Sequence, residues 1–200
     1  MLQGRGAREA LVKSAMEWVT EGAWDSTSLR AVRERAGVSN GSLFHHFPTR
    51  QDLTAAVVGE ALEEHQRVLL AQLGTDAELG VTRAVRQHLS WVDDNRQVAR
   101  LLLSAPPELL RLSLSGPVVE SNRRFFLEVE GWLHEHGWRE SVPLPVVLAL
   151  WVGPAQEFSR QRLAQDDDLP VLEAAEGLSA GAWAALRPLL NDTATTTRKR

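Results

Sequence analysis

Apolar residues recur every three or four positions along most of the chain, and runs that alternate apolar with polar are missing. The pattern predicts helices throughout and no strand. A first helix over about 7–20 places Leu11, Ala15, Trp18 and Val19 on one face, and Gly22 ends it. Ser28 caps a second helix whose Leu29, Val32 and Ala36 point inward, and Gly37 stops it. Ser39 caps a short third helix closed by Pro48. Thr49 caps a long fourth helix to about Leu73, with Leu53, Val57, Leu62, Leu69 and Leu73 inward. Further helices are expected over about 81–94, 97–104, 116–136, 144–165 and 171–190, about nine in all. Pro106-Pro107 ends one of them, and Pro154 kinks another.

The predicted class is all-α: a three-helix N-terminal domain over 1–55, a helical domain over 56–190, and a tail over 191–200 without an apolar face. The domain junction is expected inside the fourth helix, where a rigid shared element can transmit movement.

Composition narrows the function classes. Apolar residues make up 44% of the chain and charged residues 24%, an ordinary globular balance. Absence of cysteine removes disulfides, thiolate metal sites and a cysteine nucleophile. No segment reads as a membrane span or a secretory leader, so the expectation is a cytoplasmic protein with no membrane partner. Net charge is −4, unevenly spread: residues 1–55 hold seven Lys+Arg against six Asp+Glu, and the remainder holds fifteen against twenty. A slightly basic head on an acidic body suits local contact with nucleic acid rather than coating by it.

The informative stretch is Ser28 to Leu53. Two short amphipathic helices meet at Ala36-Gly37-Val38-Ser39, a tight turn with glycine where a Cβ would clash. Val38, Leu43 and Phe47 can fill the space between them. The second helix offers Asn40, Gly41, Ser42, Phe44, His45 and His46 outward, with no acidic residue among them. A helix of that character can enter a major groove about 12 Å wide without charge repulsion.

Ala36-Gly37-Val38-Ser39, Gly41-Ser42-Leu43-Phe44, His46-Phe47 and Arg50 to Leu53 closely resemble the helix-turn-helix signature of the TetR family of repressors, over about 50 N-terminal residues. The resemblance implies a ligand-responsive regulator, a repressor by the family default, that binds palindromic operator DNA as a homodimer through its last two helices. A small apolar or aromatic effector would release it. The alternative is a helix-turn-helix regulator without a small-molecule ligand. Carried onto this sequence, the resemblance implies phosphate contacts from Ser28 and Arg50, and base contacts from Arg30 and Asn40. Gly41 would permit close approach, and Ser42, His45 and His46 would face phosphates or bases. Phe44 stands where the family usually has tyrosine, so ring packing replaces a hydroxyl bond. Arg33 replaces a small alanine and must lie at the core edge or on DNA.

Other motifs carry little. His45 and His46 are adjacent and point about 100° apart, which disfavours shared chelation, and Asp166-Asp167-Asp168 lacks calcium-loop spacing. No nucleophile elbow, phosphate loop or HExxH occurs, so neither catalytic residues nor a cofactor or metal is expected. Seven tryptophans are many for 200 residues. Trp183 reads as core. Trp91, Trp132 and Trp151, with Glu128 and Gln156 nearby in sequence, form the expected lining of a mostly apolar effector pocket.

Overall fold

A computed structural model describes residues 2–140, 142–165 and 171–190. The expected tail and the triple aspartate lie outside them. The described residues form eleven α-helices and no strand: α1 Leu2–Thr20, α2 Leu29–Ala36, α3 Asn40–His46, α4 Arg50–Leu70, α5 Ala77–Asp94, α6 Arg96–Leu103, α7 Pro107–Ser113, α8 Pro117–Glu135, α9 Leu144–Trp151, α10 Gly153–Gln165 and α11 Val171–Leu190.

Both helices beyond the expected nine trace to proline. Pro106-Pro107 was expected only to terminate a helix, yet Pro107 also occupies the first turn of α7, where its missing N–H is not needed. The single helix expected over 144–165 is broken rather than kinked. Val152 caps α9 and Gly153-Pro154 opens α10, because Pro154 has no N–H to continue the ladder. At α4 the last turn tightens, with Gln72 and Leu73 N–H bonding the carbonyls of Leu69 and Leu70, so the helix stops short of Leu73.

The chain divides into two compact units, residues 1–63 with 95–120, and residues 64–94 with 121–200, the divisions falling inside α4 and α8. In the first unit α1 packs against α2, α3 and α6. Leu11, Ala15, Val32 and Leu43 are wholly or almost wholly buried there, as are Leu53, Val57 and Ala99. Gly59 allows a close approach: a Cβ there would lie 3.1 Å from both the Ser113 carbonyl and a Val118 methyl.

In the second unit α5 runs against α10 and α11, and α9 packs on both of those helices. Its core gathers Val81, Val85, Leu133, Val147 and Leu186 around Trp132, Trp138 and Trp151. Gly80 makes room for the Trp132 ring, since a Cβ there would sit 2.5 Å from it.

Candidate nucleic-acid interface

The helix-turn-helix is built from local signals. The Ser28 hydroxyl accepts from the Ala31 N–H at 3.2 Å, and the Ser39 hydroxyl accepts from the Ser42 N–H at the same distance, so both caps form as expected. Between them Gly37 closes α2 in the left-handed region at φ 68°, its N–H bonding back to α2 carbonyls. Behind this turn, the buried Ser14 hydroxyl donates to the Val32 carbonyl at 3.0 Å and fixes α1 against α2. Phe47 is buried, with the Arg8 guanidinium 5.5 Å above its ring. Arg33 lies at the core edge and donates to the Val38 carbonyl at 3.2 Å, so its guanidinium ties off the turn.

With Leu43 and Phe47 turned inward, α3 presents Asn40, Gly41, Phe44 and His45 to solvent, while Ser42 and His46 are half-buried. The His45 and His46 rings meet edge to face at 4.9 Å. Asn40 and Phe44 are one turn apart on a single line of the helix, and Gly41 and His45 form the adjacent line. No acidic side chain lies on this face. Ser28 is exposed at the start of α2. Arg30 is also exposed and pairs with Glu34 at 2.8 Å across one turn of α2.

Arg50 is placed differently from the expected phosphate reach. Its two terminal nitrogens donate to the carbonyls of Thr27 and Trp24, and its guanidinium lies 4.3 Å over the Trp24 ring. It clamps the start of α4 onto the segment between α1 and α2. Beside it Thr49 and Asp52 cap α4 reciprocally: the Thr49 N–H donates to the Asp52 carboxylate at 2.9 Å, and the Asp52 N–H to the Thr49 hydroxyl at 3.2 Å.

Of the five residues expected to line an effector pocket, two pack directly against each other. Trp132 and Trp151 stack at 5.4 Å within the core, and their indole N–H groups donate to the carbonyls of Gly74 and Val81. Each ring is packed and each polar handle satisfied within the protein. Glu128 is exposed on α8, and Gln156 is half-buried on α10. Trp91 adjoins a buried imidazole, the His65 ring at 4.7 Å.

That contact leads to a cluster missed from sequence. His65 Nε2 lies 2.9 Å from His88 Nδ1, and His88 Nε2 lies 3.2 Å from the Ser159 hydroxyl, all buried. Burial, reinforced by the neighbouring imidazole, pushes the His65 pKa down to about 3. Burial likewise lowers His88 to about 4, against an opposing backbone hydrogen bond at Ala155. Both imidazoles are therefore neutral at physiological pH. One turn beyond Ser159, the buried Arg162 donates to Asp93 at 2.5 Å, while its Nε has no partner. The available signal was a histidine within an apolar stripe: Ala61, His65 and Leu69 on α4, and Val81, Ala84, His88 and Val92 on α5.

Comparison with known proteins agrees with this geometry. Residues 11–57 match the family described as bacterial regulatory proteins, tetR family. The HTH-type transcriptional regulator BetI of Yersinia pestis is 33% identical over 94 residues, which cover 47% of this chain. The match spans only 39% of that relative's own length. An HTH-type transcriptional regulator of Mycobacterium tuberculosis, Rv0681, is 24% identical over 150 residues, covering 66% of this chain and 68% of the relative. Among solved structures, the fatty acid degradation regulator FadR from Bacillus halodurans superposes with a TM-score of 0.65 at 13% identity, covering 94% of this chain and 96% of that one. A TetR family transcription regulator from Marinobacter aquaeolei gives 0.61 at 19% identity, covering 92% and 98%. These likenesses extend the shared fold beyond the N-terminal motif, and the relatives are transcriptional regulators. Residues 11–57 thus carry the helix-turn-helix of the tetR family of bacterial regulatory proteins, and the chain as a whole shares the fold of the solved regulators.

Proposed function

We propose that this protein is a transcriptional regulator that binds duplex operator DNA by inserting α3 into the major groove. The observation that carries the reading is the outward face of α3. Asn40, Gly41, Phe44 and His45 are exposed together, free of acidic groups, on a helix fixed from behind by Leu43 and Phe47. Asn40 supplies a bidentate partner for adenine, and exposed Arg30 one for guanine. Ser28, Ser42 and His46 flank this face and serve phosphates or base edges. Arg50 acts in the first instance by holding α4 in place.

Binding as a homodimer through α9, α10 and α11 follows from what those helices leave uncovered. Val146 and Leu150 are 45% and 39% exposed one turn apart on α9. On α11 the exposed Gly177, Ala180, Gly181 and Ala184 form a face that a second helix can approach closely. A twofold pair would present two α3 helices to half-sites about 34–36 Å apart.

Release by a small molecule is the finer part of the reading. It is supported by the seam of α4, α5 and α10, where His65, His88, Ser159 and Arg162 set polar groups among apolar ones beside Trp91, the composition of a small-molecule site. An effector there would bias two conformations with a coupling of about 1–3 kcal/mol. Repression is the corresponding default. Binding in this seam should change Trp91 fluorescence.

Selection of sites from random duplex DNA, repeated across a salt series, tests the reading. It predicts a palindrome with half-sites about 10–10.5 base pairs apart, bound with a steep salt dependence. Weak, sequence-indifferent binding alone would overturn it.

A further inference from the structure

We propose that Phe44 is a specificity residue that reads the C5 methyl group of a pyrimidine in the major groove. The inference deepens the DNA-binding reading above and rests on it.

Phe44 is 47% exposed although it lies in a seven-residue helix whose apolar duties are met by Leu43 and Phe47. No ring or cation contact to Phe44 occurs among the described residues, whereas Phe47 has both. Neither an aromatic partner nor a cation among those residues holds the ring, and about half of the residue's surface faces solvent. It stands in the middle of the outward face, one turn beyond Asn40 and next to His45. Beside it, Gly41 adds no side chain, and a Cβ there would meet only open space.

A phenyl ring cannot donate or accept a conventional hydrogen bond, so of the groups displayed in a major groove it complements only an apolar one. That group is the C5 methyl of thymine, or the same methyl on 5-methylcytosine. Removing it from water against the ring is favourable, whereas pressing the ring against a bare polar base edge would strip hydration without compensation. The register follows from helix geometry. Asn40 and Phe44 are separated by about one 5.4 Å turn, and stacked base pairs by about 3.4 Å, which places the methyl one to two base pairs from the pair that Asn40 reads.

The test uses the full-length protein and its selected site. Sites are first recovered from unmodified and 5-methylcytosine-containing libraries, and the preferred library identifies the base that supplies the methyl. For a thymine site, each thymine is then replaced singly by deoxyuridine, which deletes the methyl and keeps every hydrogen-bonding group. For a methylcytosine site, unmethylated cytosine makes the same deletion. Wild-type affinity should fall about fourfold per half-site at one position only, the equivalent of one buried methyl. Phe44→Ala should bind the original and demethylated sites alike, with unchanged helix content and thermal midpoint. Equal wild-type affinity for methylated and demethylated sites at every position would overturn the proposal, even if Phe44→Ala failed to fold. An undiminished methyl effect in Phe44→Ala would also overturn it. Failure to recover any specific site would instead remove the DNA-binding reading, before the methyl question was reached.

Discussion

The two units bury different chemistry. Among the described residues, the polar residues buried in the first unit are Ser14, Thr27 and Ser113, with the Trp18 indole nitrogen and the Arg100 Nε buried within partly exposed side chains. Each of the three hydroxyls donates to a carbonyl nearby in the fold: Ser14 to Val32, Thr27 to Ala23 and Ser113 to Leu110. The second unit buries two imidazoles, a carboxamide and a guanidinium besides Ser159 and Ser179. Its imidazoles bond one another, and Gln66 donates to Asn122 at 2.7 Å. A hydroxyl is satisfied by the backbone at small cost, so the first unit can keep its versatile side chains outside, on α3. The larger groups of the second unit are paired across helices, which makes its interior the part more sensitive to protonation and to loss of one member.

The largest expected effect comes from breaking that interior. His88→Ala leaves His65 and Ser159 without their shared partner and opens a cavity, and should cost about 3–5 kcal/mol in urea unfolding. A loss below about 1 kcal/mol would mean that the cluster is not a structural unit. Acid should act on the same pair. Both folded-state values, about 3 for His65 and about 4 for His88, lie below the ordinary 6.5, so the unfolded chain binds the protons first. The contribution is therefore fully present above pH 6.5 and is lost as pH falls towards 4 and then 3. Thermal midpoints measured across pH 4–7 should decline with acid more steeply in wild type than in a His65→Gln, His88→Gln double variant.

Gly80→Ala should cost about 1–3 kcal/mol, because its Cβ has no room beside Trp132. A neutral result would show that the indole can shift. Arg50→Ala should give a smaller loss, of about 1–2 kcal/mol, from the hydrogen bonds to Trp24 and Thr27. It should leave the salt slope of DNA binding unchanged. A slope smaller by about one would mean that the guanidinium leaves its carbonyls for a phosphate on DNA, which would move Arg50 from the interior of the unit to its working surface.

What was legible in the sequence follows from the range of each interaction. Caps at Ser28 and Ser39 and the left-handed Gly37 are local, and residue type with spacing specified them. Helix α7 escaped because Pro106-Pro107 ends one helix and starts another equally well. For Trp132 and Trp151 the sequence cannot say what the indole N–H meets, because their carbonyl partners lie 58 and 70 residues away. Arg50 occupies a position where the family resemblance implied a phosphate contact, and its carbonyl partners lie 23 and 26 residues earlier. The outward face of α3 was legible almost completely, since a short helix with two buried anchors leaves little choice of what faces out.

The central claim is that this face confers sequence-specific DNA binding, and one variant tests it directly. Asn40→Ala, Phe44→Ala and His45→Ala combined alter exposed positions only, so helix content and thermal midpoint should stay at wild-type values. Titrated against the selected site and a scrambled duplex at one salt concentration, the variant should bind both with equal, weak affinity, while wild type prefers the selected site by at least about a thousandfold. Retention of the wild-type preference by the folded variant would contradict the account and place recognition elsewhere in the molecule.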